Sequence, residues 1–197
     1  MTSSKKAMVT GMDVYEAIER RRTIRGFTRA TTEQTVKKII MAGTRAMSAD
    51  NSQPWEFIII DDVGLIEQIA EHKRQLNLSI HNRTVAEQQK KAYKNCSVIA
   101  ACYKEGGGYQ WSMWACIQNM ALAATAEGLG IVPSTLWGEH QTAVEKLLGL
   151  PAGYRLATMV LIGVQKGYPR VKTPQIPRRP EFSWLHRNRF GAPAEGK

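Results

Sequence analysis

Between Trp111 and Glu127 a helix would be apolar on almost every side: only Ser112, Gln118, Asn119, Thr125 and Glu127 interrupt the apolar residues. A helix of that kind has to be buried on several sides. Gly128 and Gly130 then end it. The apolar runs Cys96–Tyr103 and Arg155–Val164 read as core strands, and Trp55–Asp61 reads as a third. A 197-residue chain with 43% hydrophobic and 22% charged residues has room for one sizeable core.

The remaining segments are predicted as follows. Asp13–Arg22 is a short helix with Val14, Ala17 and Ile18 on its apolar face. A second helix runs from about Thr32 to Ala46, opened by a Thr31/Gln34 capping box. Ser48–Pro54 is a polar break, and residues 64–94 form one or two amphipathic helices. Lys104–Gly108 is a loop, and an extended segment follows near Ile131–Trp137. A Thr142/Glu145 capping box opens a short helix through Val144, Leu147 and Leu148. Beyond Gln165 the chain is rich in Pro and basic residues. Its few apolar anchors, Phe182, Trp184, Leu185 and Phe190, cannot make a core, so it packs on another surface or stays mobile.

No apolar run approaches the roughly 18–20 residues needed to span a bilayer, so no membrane association is expected. The first eleven residues carry no apolar stretch of the secretory kind and read as a flexible tail. Cys96, Cys102 and Cys116 form no C-x-x-C pair. Cys96 and Cys102, in an apolar strand-like run, read as buried inert thiols; a reducing, cytoplasmic setting fits, and no metal site is expected. The four histidines show no metal-ligand spacing and no triad.

Charge is concentrated at the two ends. Residues 1–50 hold 10 Lys/Arg against 5 Asp/Glu, residues 51–164 hold 9 against 10, and residues 165–197 hold 8 against 2. A nucleic-acid surface, a plain solvated surface and a phosphorylated small ligand each account for that pattern. No nucleic-acid-binding signature is present, and aromatic residues do not alternate with the basic ones, so nucleic acid is not expected as a partner.

Three motifs narrow the choice: Arg20-Arg21-Arg22-Thr23-Ile24-Arg25-Gly26-Phe27, then Ser48-x-x-Asn51-Ser52-Gln53-Pro54-Trp55-x-Phe57, then Pro177-Arg178-Arg179-Pro180. In this order they resemble the FMN-dependent nitroreductase family. Glu127-Gly128-Leu129-Gly130 and Val160-Leu161-Ile162-Gly163 agree with it, and the resemblance covers about residues 12–190.

The resemblance implies the site. Arg21 and Thr23 would hold the FMN phosphate, with Arg178 reaching it from the C-terminal segment and Arg22 contacting through its backbone. Arginine suits this role because its guanidinium binds phosphate in bidentate fashion. Arg25 would lie at the pyrimidine side of the flavin, where two-electron reduction leaves negative charge near N1 and O2. Ser48, Asn51 and Gln53 would line the ring, offering both donors and acceptors. Ser134 and Thr135 would bring backbone donors near N5, and Asn77 or Asn82 would add a ring contact. No catalytic residue is implied beyond the flavin itself.

The implied fold is α+β: a central mixed, mainly antiparallel sheet flanked by helices. The implied assembly is an intertwined homodimer with FMN at the subunit interface. The domain would span residues 12–190, with 166–190 an arm on the partner subunit and 191–197 a C-terminal tail. The implied reaction takes hydride from NADH or NADPH and passes it to a nitroaromatic, quinone or similar small aromatic acceptor by a ping-pong mechanism. Two alternatives remain. One is a flavin-binding carrier or redox sensor without rapid turnover. The other is a specialised branch, a reductive dehalogenase or flavin-fragmenting enzyme.

Overall fold

The computed structural model describes residues 11–166, 177–180 and 183–192. It divides after Lys166 into two units. The first holds α1 (Val14–Arg20), β1 (Phe27–Ala30), α2 (Glu33–Gly43), β2 (Trp55–Ile60), α3 (Val63–Leu78) and α4 (Arg83–Lys91). It continues with β3 (Ser97–Lys104), α5 (Tyr109–Ala126), β4 (Gly130–Ser134), α6 (Gly138–Leu147) and β5 (Tyr154–Gln165).

The twelve-residue β5 is the spine of one sheet. β3 pairs along it from Lys104↔Tyr154 to Ser97↔Ile162, and β2 pairs on the far side of β3. β1 takes over where β3 stops, with Ala30 opposite Gly163. β4 lies along β5 from Gly130↔Gly163 to Ser134↔Met159. These pairings are all antiparallel; Thr23↔Ile131 is an isolated parallel bridge.

Both faces of the sheet are covered, which explains why its central strands read as continuous apolar runs. Val98, Ala100, Cys102, Met159 and Leu161 pack with Ile69 and Leu76 of α3 and Val144 of α6. Ile99, Ala101, Val160 and Ile162 pack with Val36 and Ile39 of α2 and with Met113, Ile117 and Met120 of α5. Helices α2 and α5 meet closely: a Cβ on Gly43 would lie 2.5 Å from Met120 Cγ. Helix α5 is enclosed along this side, while Trp111 is 72% exposed and Trp114 and Leu122 are half-buried. The fold is α+β with helices on both faces of the sheet.

Three local expectations are corrected. Helix α2 is capped by Thr32, whose side chain accepts from Thr35 N; Thr31 lies one residue too early. Thr142 does not open α6. The helix begins at Gly138 after Trp137, and the Thr142 hydroxyl donates to the Gly138 carbonyl inside it. Strand β1 was not anticipated, because only Phe27 of its four residues is buried and no alternation is visible. Residues 64–94 resolve into two helices, since Asn82 caps α4 through Val85 N.

The second unit is described over 177–180 and 183–192. Trp184 Nε1 donates to the Arg179 carbonyl at 3.0 Å, and His186 stacks obliquely on Phe190. Trp184, Leu185 and Phe190 are exposed. Phe182 lies outside the described residues.

Candidate functional site

The stretch after α1 is threaded between two strands. Ile24 N donates to the Ile131 carbonyl at 3.1 Å, and Lys166 N donates to the Gly26 carbonyl at 3.3 Å. Buried Ile24 sits over Gly130, where a Cβ would come within 2.7 Å of Ile24 Cγ2. That close approach requires glycine at the start of β4. It also fixes the backbone on either side of Ile24, leaving Thr23 and Arg25 exposed. Arg21 is half-buried at the C-cap of α1. The Arg22 guanidinium turns back onto the Glu19 and Arg21 carbonyls.

The end of β4 is tied down at three points. The Tyr93 hydroxyl donates to Ser134 Oγ at 2.9 Å, and Thr135 Oγ1 lies 3.2 Å from Thr158 Oγ1. The Lys73 ammonium of α3 donates to the Thr135 carbonyl at 2.7 Å and lies 5.5 Å from the centre of the Trp137 ring. The side chains of Ser134 and Thr135 are therefore engaged within the fold. Their neighbouring amides differ: the loop and cap hydrogen bonds among the described residues include none donated by Thr135 N or Leu136 N.

Lys73 is only 7% exposed. Burial, and then the positive charge of Arg25, bring its pKa down to about 8. This places Arg25 and Lys73 in one electrostatic neighbourhood. Among the described residues, no carboxylate forms an ion pair with either. Lys73 was missed in the sequence because a helical lysine reads as a solvated residue. The available signal was its position within the stripe Ile69, Ala70, Leu76 and Asn77.

Ser48, Asn51 and Gln53 come together in their own loop. Gln53 N donates to Ser48 Oγ at 3.1 Å, and Gln53 Nε2 donates to the Asn51 carbonyl at 3.3 Å. Asp50, Asn51 and Gln53 all have positive φ, from 45° to 53°. Non-glycine residues seldom adopt this conformation, and it concentrates at functional loops. Among the described residues, no hydrogen bond or ion pair joins this loop to Arg25, Lys73 or Thr135.

Of the two asparagines, Asn77 is buried and donates to the Lys73 carbonyl within α3, while Asn82 caps α4. Arg178 is exposed in the second unit. Cys102 and Cys116 are buried and Cys96 half-buried, and burial pushes all three thiols up to about 12. Among the described residues, no group of three or more His, Cys, Asp or Glu could hold a metal ion. No helix among them is long and apolar enough to cross a membrane.

The model of the nitroreductase family matches residues 18–164. The chain belongs to the nitroreductase family. A Methanothermobacter thermautotrophicus protein named "Putative NADH dehydrogenase/NAD(P)H nitroreductase" is 39% identical, covering 73% of this nitroreductase-family chain and 72% of that protein. The iodotyrosine deiodinase of Thermotoga neapolitana is 26% identical over 84% of this chain and 93% of its own length. The fold is also that of a crystal structure described as a "putative nitroreductase in complex with fmn" from Desulfovibrio desulfuricans. That structure has a TM-score of 0.68 and 25% identity, covering 90% of this chain and 97% of its own.

Proposed function

We propose that this nitroreductase-family chain is an FMN-dependent oxidoreductase. It takes hydride from NADH or NADPH and reduces a nitroaromatic, quinone or similar small aromatic acceptor. The observation that carries the reading is the Lys73 ammonium at the end of β4, which feels the charge of Arg25 and, like Arg25, lacks a carboxylate partner among the described residues. The Thr135 and Leu136 amides beside them are without a loop or cap acceptor. A ring edge with acceptor atoms and negative charge fits this donor set.

When bound, FMN supplies the hydride-accepting N5 and a ring that stores two electrons. The chain's own residues bind and orient it. Arg21 and Thr23 hold the phosphate, and Arg22 takes part through its backbone, its guanidinium being turned onto Glu19 and Arg21. Arg25 supplies positive charge at the pyrimidine side. Ser48, Asn51 and Gln53 line the ring, and the segment at Ser134 and Thr135 presents backbone donors toward N5. Donor and acceptor use one face in turn, which makes the kinetics ping-pong.

A homodimer completes the site. Among the described residues no hydrogen bond or ion pair joins the Ser48–Gln53 loop to Arg25 or Lys73, which is compatible with FMN between two subunits receiving the loop from one and the cations from the other. The exposed Val14, Tyr15 and Ile18 of α1 and Trp111 of α5 supply apolar surface for that contact.

The deiodinase relative supports a second reading, reductive removal of halogen from an aromatic ring by the same site. Nitroaromatic and haloaromatic acceptors offered to the reduced protein separate the two.

Titration with FMN and with riboflavin, followed by flavin fluorescence, tests the cofactor assignment. The wild-type chain is expected to prefer FMN. Arg21→Ala is expected to weaken FMN at least about tenfold while leaving riboflavin unchanged, since a charged phosphate contact contributes roughly 1.5–3 kcal/mol. Absence of flavin binding contradicts the assignment.

A further inference from the structure

We propose that Lys73 is a second cation of the flavin's pyrimidine side. It acts on the ring beside Arg25 and pins, through the Thr135 carbonyl, the turn that carries the Thr135 and Leu136 amides. This rests on the FMN reading above.

The placement of Lys73 is unusual for a structural residue. It lies in the buried stripe of α3, where an apolar side chain would pack without desolvation cost. An ammonium carries three donors. Among the described residues one acceptor, the Thr135 carbonyl, takes a hydrogen bond from it, and the Trp137 ring lies alongside. The charge that acts on it is that of another cation, Arg25, and neither forms an ion pair with a carboxylate among the described residues. Burying the Lys73 ammonium within reach of a second positive charge opposes folding. An anion arriving from outside the chain reverses that opposition.

The surroundings select the kind of anion. Buried Leu136, the Trp137 ring and two backbone amides that donate no loop or cap hydrogen bond among the described residues suit a flat ring with acceptor atoms on its edge better than a tetrahedral phosphate. The charge that appears on the flavin ring on reduction is such an anion, so Lys73 should favour reduced flavin over oxidised. The depressed pKa agrees with a cation poised for a partner.

The test compares wild type, Lys73→Met and Lys73→Arg. Dissociation constants are measured for oxidised and reduced FMN and for oxidised and reduced riboflavin, and the apo proteins are unfolded in urea. Lys73→Met is expected to weaken reduced flavin about tenfold more than oxidised flavin, with and without the phosphate. For a two-electron couple that ratio lowers the potential by about 30 mV. Lys73→Arg is expected to keep most of the ratio, and apo Lys73→Met to be at least as stable as wild type.

An equal loss for both redox states overturns the proposal, as does a loss confined to FMN, which would assign Lys73 to the phosphate. Apo Lys73→Met and Lys73→Arg both less stable than wild type, with the ratio unchanged, would make Lys73 a structural peg. Wild type that binds no flavin removes the FMN reading and this inference with it. Wild type that binds flavin, with an unchanged ratio in Lys73→Met, removes this inference alone.

Discussion

The Lys73 ammonium and the Thr135 carbonyl meet at 2.7 Å, joining α3 to the turn after β4 across 62 residues of sequence. This bond sits in a setting that penalises the charge it depends on. In the folded chain the lysine pKa falls to about 8 from 10.5. A lowered lysine pKa means the unfolded chain binds more protons between those values, so stability rises with pH there. The cost is fully present below pH 8 and relieved as pH climbs toward 10.5. The shift corresponds to about 3 kcal/mol, against about 1 kcal/mol for the lost hydrogen bond. Apo Lys73→Met is therefore expected to be about 2 kcal/mol more stable than wild type at pH 7 in urea unfolding. The gap should narrow between pH 8 and 10.5. Comparing the two proteins at each pH cancels the shared destabilisation from the three raised cysteines. A less stable variant at pH 7 contradicts this account.

Tyr93 reaches Ser134 in the same turn, its hydroxyl donating at 2.9 Å. Burial pushes the phenol well above its usual range, so it stays a neutral donor. Tyr93→Phe removes the donor and keeps the ring. We expect a loss of about 1–2 kcal/mol, and a double-mutant cycle with Ser134→Ala should recover about 1 kcal/mol of coupling. Additive effects would mean that the bond does not hold the turn.

Two glycines mark close approaches. A Cβ on Gly163 would lie 2.8 Å from the Arg29 carbonyl oxygen, a backbone atom of the paired strand. A Cβ on Gly130 would instead meet the Ile24 side chain. Gly163→Ala is expected to cost at least about 2 kcal/mol through disrupted β1–β5 pairing. Gly130→Ala should cost about 1–3 kcal/mol and also weaken FMN binding, because Ile24 adjoins Arg25. Urea unfolding and flavin titration of both variants check this.

Glu71 accepts from Arg74 within α3 and from Lys90 of α4, and the second bond anchors the two helices together. These bonds hold its carboxyl down to about 2. A lowered carboxylate pKa gives stability that is present above about pH 4.5 and lost as pH falls toward 2. The side chain is 31% exposed, so solvent screens much of the effect. Glu71→Gln is expected to lose about 1 kcal/mol at pH 7, with the difference disappearing in acid.

Strands β3 and β5 are legible because burial on both faces leaves long apolar runs. Strand β2, with only Ile60 buried, is legible from its run of aromatic and β-branched residues, and α5 from its nearly unbroken apolar sequence. Strand β1 was hidden because Phe27 is its only buried residue. The α2 cap was placed one residue early because Thr31 and Thr32 are adjacent and offer the same hydroxyl. The start of α6 was hidden because Trp137 gives no side-chain cap and Gly138 has a φ of 60°. Motif order puts Arg21, Thr23 and Arg25 forward as candidates because their neighbourhood is continuous in sequence. Lys73 was not legible: its partners Arg25, Thr135 and Trp137 come from distant segments that only the folded sheet assembles.

The most direct test of the central claim is an absorption spectrum of the purified protein, taken without oxygen before and after adding NADH or NADPH. The account predicts a flavin spectrum that bleaches on addition and returns when a nitroaromatic or quinone acceptor is supplied. A protein that shows no flavin band even after incubation with FMN would contradict it.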